Sequence, residues 1–180
     1  MTVEGKTHAL PRPFFVIATQ NPIHQVGTFP LPESQLDRFL MCIELGYPDR
    51  TAERSLLKGR DRQTLIESLP VCLPQDQWLT LEAGAADVHV SDALLDYLQA
   101  LLDFTRESAE FALGLSPRAG VALLSAAKAW AFLHRRDAVL PEDVQSVLGP
   151  VAGHRLKSNV PGPGATERVV TTLIEKVAIP

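Results

Sequence analysis

The chain has 180 residues, 17 Lys and Arg against 21 Asp and Glu, a formal net charge of −4, and 46% apolar residues. That composition can bury a core and excludes a disordered or collagen-like chain, while the acidic balance argues against a domain devoted to neutralising nucleic-acid phosphates. No apolar run approaches the roughly 18 residues of a membrane span, and Glu4, Lys6 and His8 rule out an apolar signal core near the amino terminus, so a cytoplasmic protein is expected.

Near the amino terminus, Gly5-Lys6-Thr7 has the tail of a GxxxxGK[ST] phosphate loop, but the first glycine of that pattern would precede residue 1. Pro11 and Pro13 follow where a helix should begin, so an exposed hairpin turn is expected instead. Phe14-Phe15-Val16-Ile17-Ala18, bounded by prolines and by Asn21-Pro22, predicts a strand buried on both faces. The acidic stretch Pro32 to Arg38 predicts a short helix, and Phe39 to Leu45 a second strand. Two strands are too few for a sheet core, so this region is expected to be the tail of an α/β domain whose front is missing.

Beyond Pro48 the periods become helical. Asp49 predicts an N-cap for a helix reaching towards Arg60, and Ser91 caps a helix with Leu94, Leu95, Leu98, Leu101 and Leu102 on one face. Ser116-Pro117 opens a helix whose Ala119, Ala122, Leu123, Ala126, Trp130 and Leu133 share a face, its alanines permitting close helix approach. Pro141-Glu142-Asp143 starts another, with Val144, Val147 and Leu148 inward and Gly149 as its stop, although Leu140 stands where a Ser or Thr cap is usual. Pro161 to Gly164 is a loop, and Thr166 to Val177 a last helix. The fold class expected is therefore mainly α: a helical bundle preceded by a two-stranded α/β remnant. The divisions fall at residues 1–45, 46–90 (a connecting helical segment) and 91–180.

Cys42 and Cys72 form no metal or disulfide pattern and are expected as free buried thiols, and the five histidines, His8, His24, His89, His134 and His154, lack metal-ligand spacing.

Ala18-Thr19-Gln20-Asn21-Pro22, Gly27 to Glu33, Gln35-Leu36-Asp37-Arg38-Phe39 and Leu115-Ser116-Pro117-Arg118-Ala119, in that order, closely resemble the MoxR family of AAA+ ATPases. The resemblance covers nearly the whole chain and implies the end of the ATPase core followed by the helical lid, without the Walker A and Walker B half. His24-Gln25-Val26 departs from the acidic loop that relatives often carry there, which puts that loop's intersubunit contacts in doubt.

Three residues acquire roles from this resemblance. Asn21, after a strand end where α/β sheets bind ligands, could donate its amide to a phosphate oxygen and accept from a water, or simply cap an Asn-Pro turn; the resemblance implies sensor 1. Arg38 could pair locally with Glu33 or Asp37 or reach a neighbouring subunit's γ-phosphate; the resemblance implies the arginine finger. Arg118 lies in the first turn of a helix, where the dipole disfavours a cation, so an anion should be nearby unless the exposed head simply swings into water; the resemblance implies sensor 2, a nucleotide-binding residue. Arg135-Arg136, at the dipole-favoured end of the same helix, and His154-Arg155-Leu156 are expected to be structural.

The implied full-length protein is a ring, a hexamer, that binds ATP and Mg2+ and remodels or matures client proteins, those with von Willebrand factor A domains among them. The carboxy-terminal portion alone is expected to bind and hydrolyse nothing, with no metal site of its own. Two alternatives stay open: a non-catalytic module for protein binding or oligomerisation, and a DNA-remodelling motor, against which the acidic charge weighs.

Overall fold

The computed structural model describes residues 2–20, 31–59, 66–159 and 165–179. Its contacts divide the chain into two units, one comprising Met1–Phe15 and Ile43–Leu81, the other Val16–Cys42 and Glu82–Pro180.

In the first unit, β1 (Thr2–Val3) and β2 (Lys6–Thr7) pair antiparallel, Val3 opposite Lys6. Glu4 and Gly5 between them both have positive φ, 49° and 79°, as a two-residue hairpin turn with the right twist requires. The Gly5-Lys6-Thr7 triplet is thus a hairpin and not a phosphate cradle. Asp49 caps α2 (Arg50–Leu57) by accepting from the Ala52 amide at 2.7 Å. Further on, Gln75 of α3 (Gln75–Ala86) donates to the Arg12 carbonyl, and the Phe15 and Trp78 rings stack with centroids 6.1 Å apart.

The second unit holds the core. In it α4 (Asp92–Glu107), α5 (Pro117–Leu133), α6 (Pro141–Ala152) and α7 (Ala165–Lys176) pack together, and a short antiparallel pair, β3 (Phe111–Leu113) and β4 (Lys157–Ser158), closes one end. Ser91 and Ser116 cap α4 and α5 as the sequence predicts, accepting from Leu94 N at 3.2 Å and Ala119 N at 3.1 Å. A single parallel bridge, His89 to Ala138, ties together the segments entering α4 and α6. Leu101, Leu123, Ala127, Ala131, Val144, Leu148 and Leu173 are fully enclosed. The alanines let α5 and α6 approach closely, as expected.

The mainly helical class stands, with several local corrections. Residues 14–18 and 39–45 join no strand among the described residues, and Ile17 is 77% exposed. An all-apolar strand needs ladder partners on both edges and packing on both faces, and the described residues of this chain supply neither. Cys42 and Cys72 are exposed for the same reason: both sit on irregular segments outside the bundle. On α4, Leu95 faces outward and Tyr97 is buried in its place; on α5 the buried stripe runs through Ala127 and Ala131, leaving Leu133 72% exposed. Gly149 does not stop α6, which continues through Pro150 to Ala152. A proline there forfeits one intrahelical bond near the helix end, where few remain to be made.

Candidate functional site

The turn that carries Arg38 and the helix start that carries Arg118 meet at the carboxylate of Asp37. α1 (Glu33–Leu36) is a single turn, started by Pro32 and closed by Asp37, whose amide donates to the Glu33 carbonyl at 2.9 Å. Arg38 follows in the turn, exposed, with its amide on the Gln35 carbonyl. The chain then runs through Phe39 and Leu40 to Cys42, whose amide donates to the Pro150 carbonyl of α6 at 2.8 Å.

Three side chains converge on Asp37. Ser116 Oγ lies 3.0 Å from both carboxylate oxygens, so the hydroxyl that caps α5 as an acceptor also donates across to this turn. Arg155 Nε donates to Oδ1 at 3.0 Å, and Arg118 Nη1 lies 3.4 Å from Oδ2. The two arginines differ sharply in their surroundings. Arg155, in the turn after α6, has a side chain only 4% exposed, and all five N–H donors of its guanidinium are engaged. Nε takes the Asp37 carboxylate; Nη1 takes the carbonyls of Leu40, at 3.1 Å, and Val151; Nη2 takes the carbonyls of Asp37, at 3.2 Å, and Phe39. Burial lowers its pKa from the ordinary arginine value, and the hydrogen bond and charge of Asp37 oppose that shift. Arg118, in contrast, is 58% exposed at its side chain and among the described residues makes this one long contact.

Beside them, Lys157 pairs with Glu33 at the start of α1, and His154 Nδ1 lies 3.2 Å from the Pro150 carbonyl. Burial and the Arg155 charge push the His154 pKa below the usual imidazole value, against smaller opposing contributions from the Phe39 and Pro150 carbonyls and from Asp37.

Arg118 therefore has the anion that its position in the first turn of α5 demands, and the anion is Asp37. Arg38 pairs with neither Glu33 nor Asp37; Glu33 pairs with Lys157, and Asp37 with Ser116, Arg118 and Arg155. Among the described residues its guanidinium has no partner. Asn21 and His24 lie outside the described residues. Arg136 is structural, paired with the buried Asp143, whose other carboxylate oxygen accepts from Leu140 N at 2.9 Å.

Sequence reasoning missed the centre of this site. Asp37 figured only as a local partner for Arg38, and Arg155 only as a packing residue. The sequence offered little signal for Arg155, which stands between His154 and Leu156 with Lys157 close by, in a stretch that reads as an ordinary polar turn.

Among the described residues no three His, Cys, Asp or Glu side chains converge as metal ligands, and no helix is long and apolar enough to cross a membrane. Gly5-Lys6-Thr7 lies in a hairpin, and the exposed arginines near Asp37 are Arg38 and Arg118.

Family comparison places this helical bundle. The AAA lid domain matches residues 103–176, and the ATPase family associated with various cellular activities (AAA) matches residues 1–41. The chain belongs to the MoxR family of AAA+ ATPases. It is 35% identical to the chaperone MoxR1 of Mycobacterium tuberculosis over 192 aligned positions, covering 100% of this chain and 50% of that protein. It is 34% identical to the protein MoxR of Paracoccus denitrificans, covering 89% of this chain and 53% of that one. An uncharacterized Bacillus subtilis protein, YeaC, is 39% identical, with 87% and 49% covered. A crystal structure of a candidate ATPase from Cytophaga hutchinsonii superposes with a TM-score of 0.82 at 32% identity, covering 100% of this chain and 58% of that one. The chain thus spans about half the length of the curated relatives it matches.

Proposed function

We propose that this chain supplies the lid and the subunit-facing edge of a MoxR-type ATPase that uses ATP and Mg2+ in a ring, a hexamer, to remodel or mature client proteins in a chaperone-like role. Residues 1–45 form the end of the nucleotide-binding core, 46–90 a connecting segment and 91–180 the lid. Arg38 is the arginine finger, reaching the γ-phosphate bound by a neighbouring subunit; Arg118 is sensor 2; Asn21 is sensor 1. The observation that carries this reading is the division of labour at Asp37. The acids flanking Arg38 are taken by Ser116, Arg118, Arg155 and Lys157, which leaves an exposed, permanently charged fork on a turn bonded to the lid.

In the family the phosphate loop and the magnesium-binding strand lie in the half of the relatives that this chain does not span, so the 180-residue chain on its own is expected to bind no Mg-ATP. Clients with von Willebrand factor A domains belong to the same reading.

The test is calorimetric titration of Mg-ATP into this chain and into the chain extended upstream to the length of its relatives. Binding and turnover are expected only in the extended protein. There, Arg38→Ala should lower kcat by roughly 10³-fold or more, the scale on which arginine fingers act, while sparing ATP binding. Mg-ATP binding by the short chain, or full turnover in the Arg38→Ala ring, would overturn the proposal.

A further inference from the structure

We infer that Asp37 and Arg155 are positioning residues for Arg38, forming a fixed clamp between the lid and the turn that bears it, with Arg118 as the exchangeable member of the same cluster. The inference rests on the reading of Arg38 as the arginine finger and adds how that finger is held.

The clamp is built from the backbone on both sides of Arg38. Arg155 takes the carbonyls of Asp37, Phe39 and Leu40, that is, the residue before Arg38 and the two after it. Its fourth carbonyl, that of Val151, belongs to α6, so one buried guanidinium fastens the finger turn to the lid's own helix. The Asp37 carboxylate closes the ring of bonds by accepting from Arg155 Nε and Ser116 Oγ, and the Cys42 amide on Pro150 anchors the exit of the turn to the same helix end. Lysine cannot replace this arrangement, because an ammonium has three donors and no planar fork.

Arg118 behaves differently. Its contact with Asp37 is long, single and largely solvated, a class of pair worth little, so an incoming phosphate can draw it away at small cost. Asp37 keeps Arg155 and Ser116 when that happens. The carboxylate therefore neutralises Arg118 until a stronger anion arrives, and holds the finger turn whether or not one does. Any displacement of the lid is then carried directly to Arg38, through bonds and not through a flexible linker.

Two experiments test this. Native-state trypsin digestion of the 180-residue chain, followed by mass spectrometry, reads cleavage at the Arg38–Phe39 bond against cleavage after Arg106 within α4. Arg155→Lys is expected to accelerate cleavage at Arg38 by roughly tenfold or more, with no change at Arg106, as local opening requires. Arg118→Ala should leave both within about twofold. An unchanged Arg38 rate in Arg155→Lys overturns the clamp, and so does a parallel rise at both bonds, which would mean that Arg155 serves the whole fold.

The second arm uses the ATPase extended to the length of its relatives. Asp37→Asn should lower kcat by about 10 to 100-fold, the scale of a misplaced catalytic group, with KM for ATP little changed. In an Arg38→Ala background it should add no further loss of kcat, since the effect of Asp37 on kcat runs through Arg38. Independent, multiplying losses would overturn the positioning role. If Arg38→Ala alone left kcat intact, the finger reading itself would fall and the catalytic half of this inference with it, while the digestion result would still decide the clamp.

Discussion

Asp143 and Leu140 illustrate how much one residue can compensate for another. Leu140 occupies the N-cap of α6 with extended dihedrals, φ −102° and ψ 157°, but has no oxygen to offer the helix amides. Asp143, almost fully enclosed, reaches back to the Leu140 amide and pairs with Arg136, so only half of a capping box is present. Because Leu140 is largely exposed and already has cap geometry, Leu140→Ser should complete the box. A gain of about 0.5–1 kcal/mol is expected, measured as a higher urea midpoint at unchanged m-value. At this scale the sequence was readable where the chemistry is local, as in the Ser and Asp caps of α2, α4 and α5. It was unreadable where the partner is far along the chain. Nothing near Asp37 announces that its partners are residues 116, 118 and 155.

The elements were legible to the extent that their periods are strong. α4 to α7 lie close to where their caps and apolar spacings put them, yet the inward face of α5 is rotated from the expected one. An alanine-rich helix carries weak amphipathic information, and the choice between Leu133 and Ala131 is made by which neighbour can come closest. Close approach also governs the loop into α5. A Cβ on Gly114 would lie 2.8 Å from the Arg106 Cα and from the Thr105 carbonyl oxygen, both backbone atoms that cannot swing aside. That proximity lets Thr105 Oγ1 accept from the Leu115 amide, and Arg106 Nε donate to the Leu115 carbonyl, each at 3.0 Å. Gly114→Ala should therefore cost about 1–3 kcal/mol, as overpacking does, and lower the thermal midpoint of the chain. A variant as stable as the parent would show that the loop can retreat from α4.

For the molecule as a whole, acid sensitivity follows from the packing around His154. Its folded-state pKa lies below the ordinary value of 6.5, burial being the larger cause and the Arg155 charge the second. Below about pH 6.5 the unfolded chain takes up a proton that the folded chain resists, so stability falls as the pH drops from there through the depressed folded value, and levels off below it. Thermal melts at pH 7.5 and 5.5 should show the lower midpoint at pH 5.5, and His154→Gln should reduce the difference. An equal difference in the variant would assign the acid sensitivity to other groups.

The sequence by itself determined the helical bundle, its caps, the hairpin at Gly5, the kinship with MoxR-type ATPases and the candidate arginines. These depend on short-range periodicity, on capping chemistry within three or four residues, or on contiguous motifs. Tertiary structure alone decided that residues 14–18 and 39–45 join no strand among the described residues, because a strand is defined by the neighbours it pairs with. It alone joined Asp37 to Ser116, Arg118 and Arg155, since loop closure over roughly a hundred residues leaves no trace in local spacing. A buried guanidinium needs every donor met, and only the folded chain could bring the Asp37 carboxylate and the carbonyls of Asp37, Phe39 and Leu40, more than a hundred residues away, to the same arginine as the nearby Val151 carbonyl.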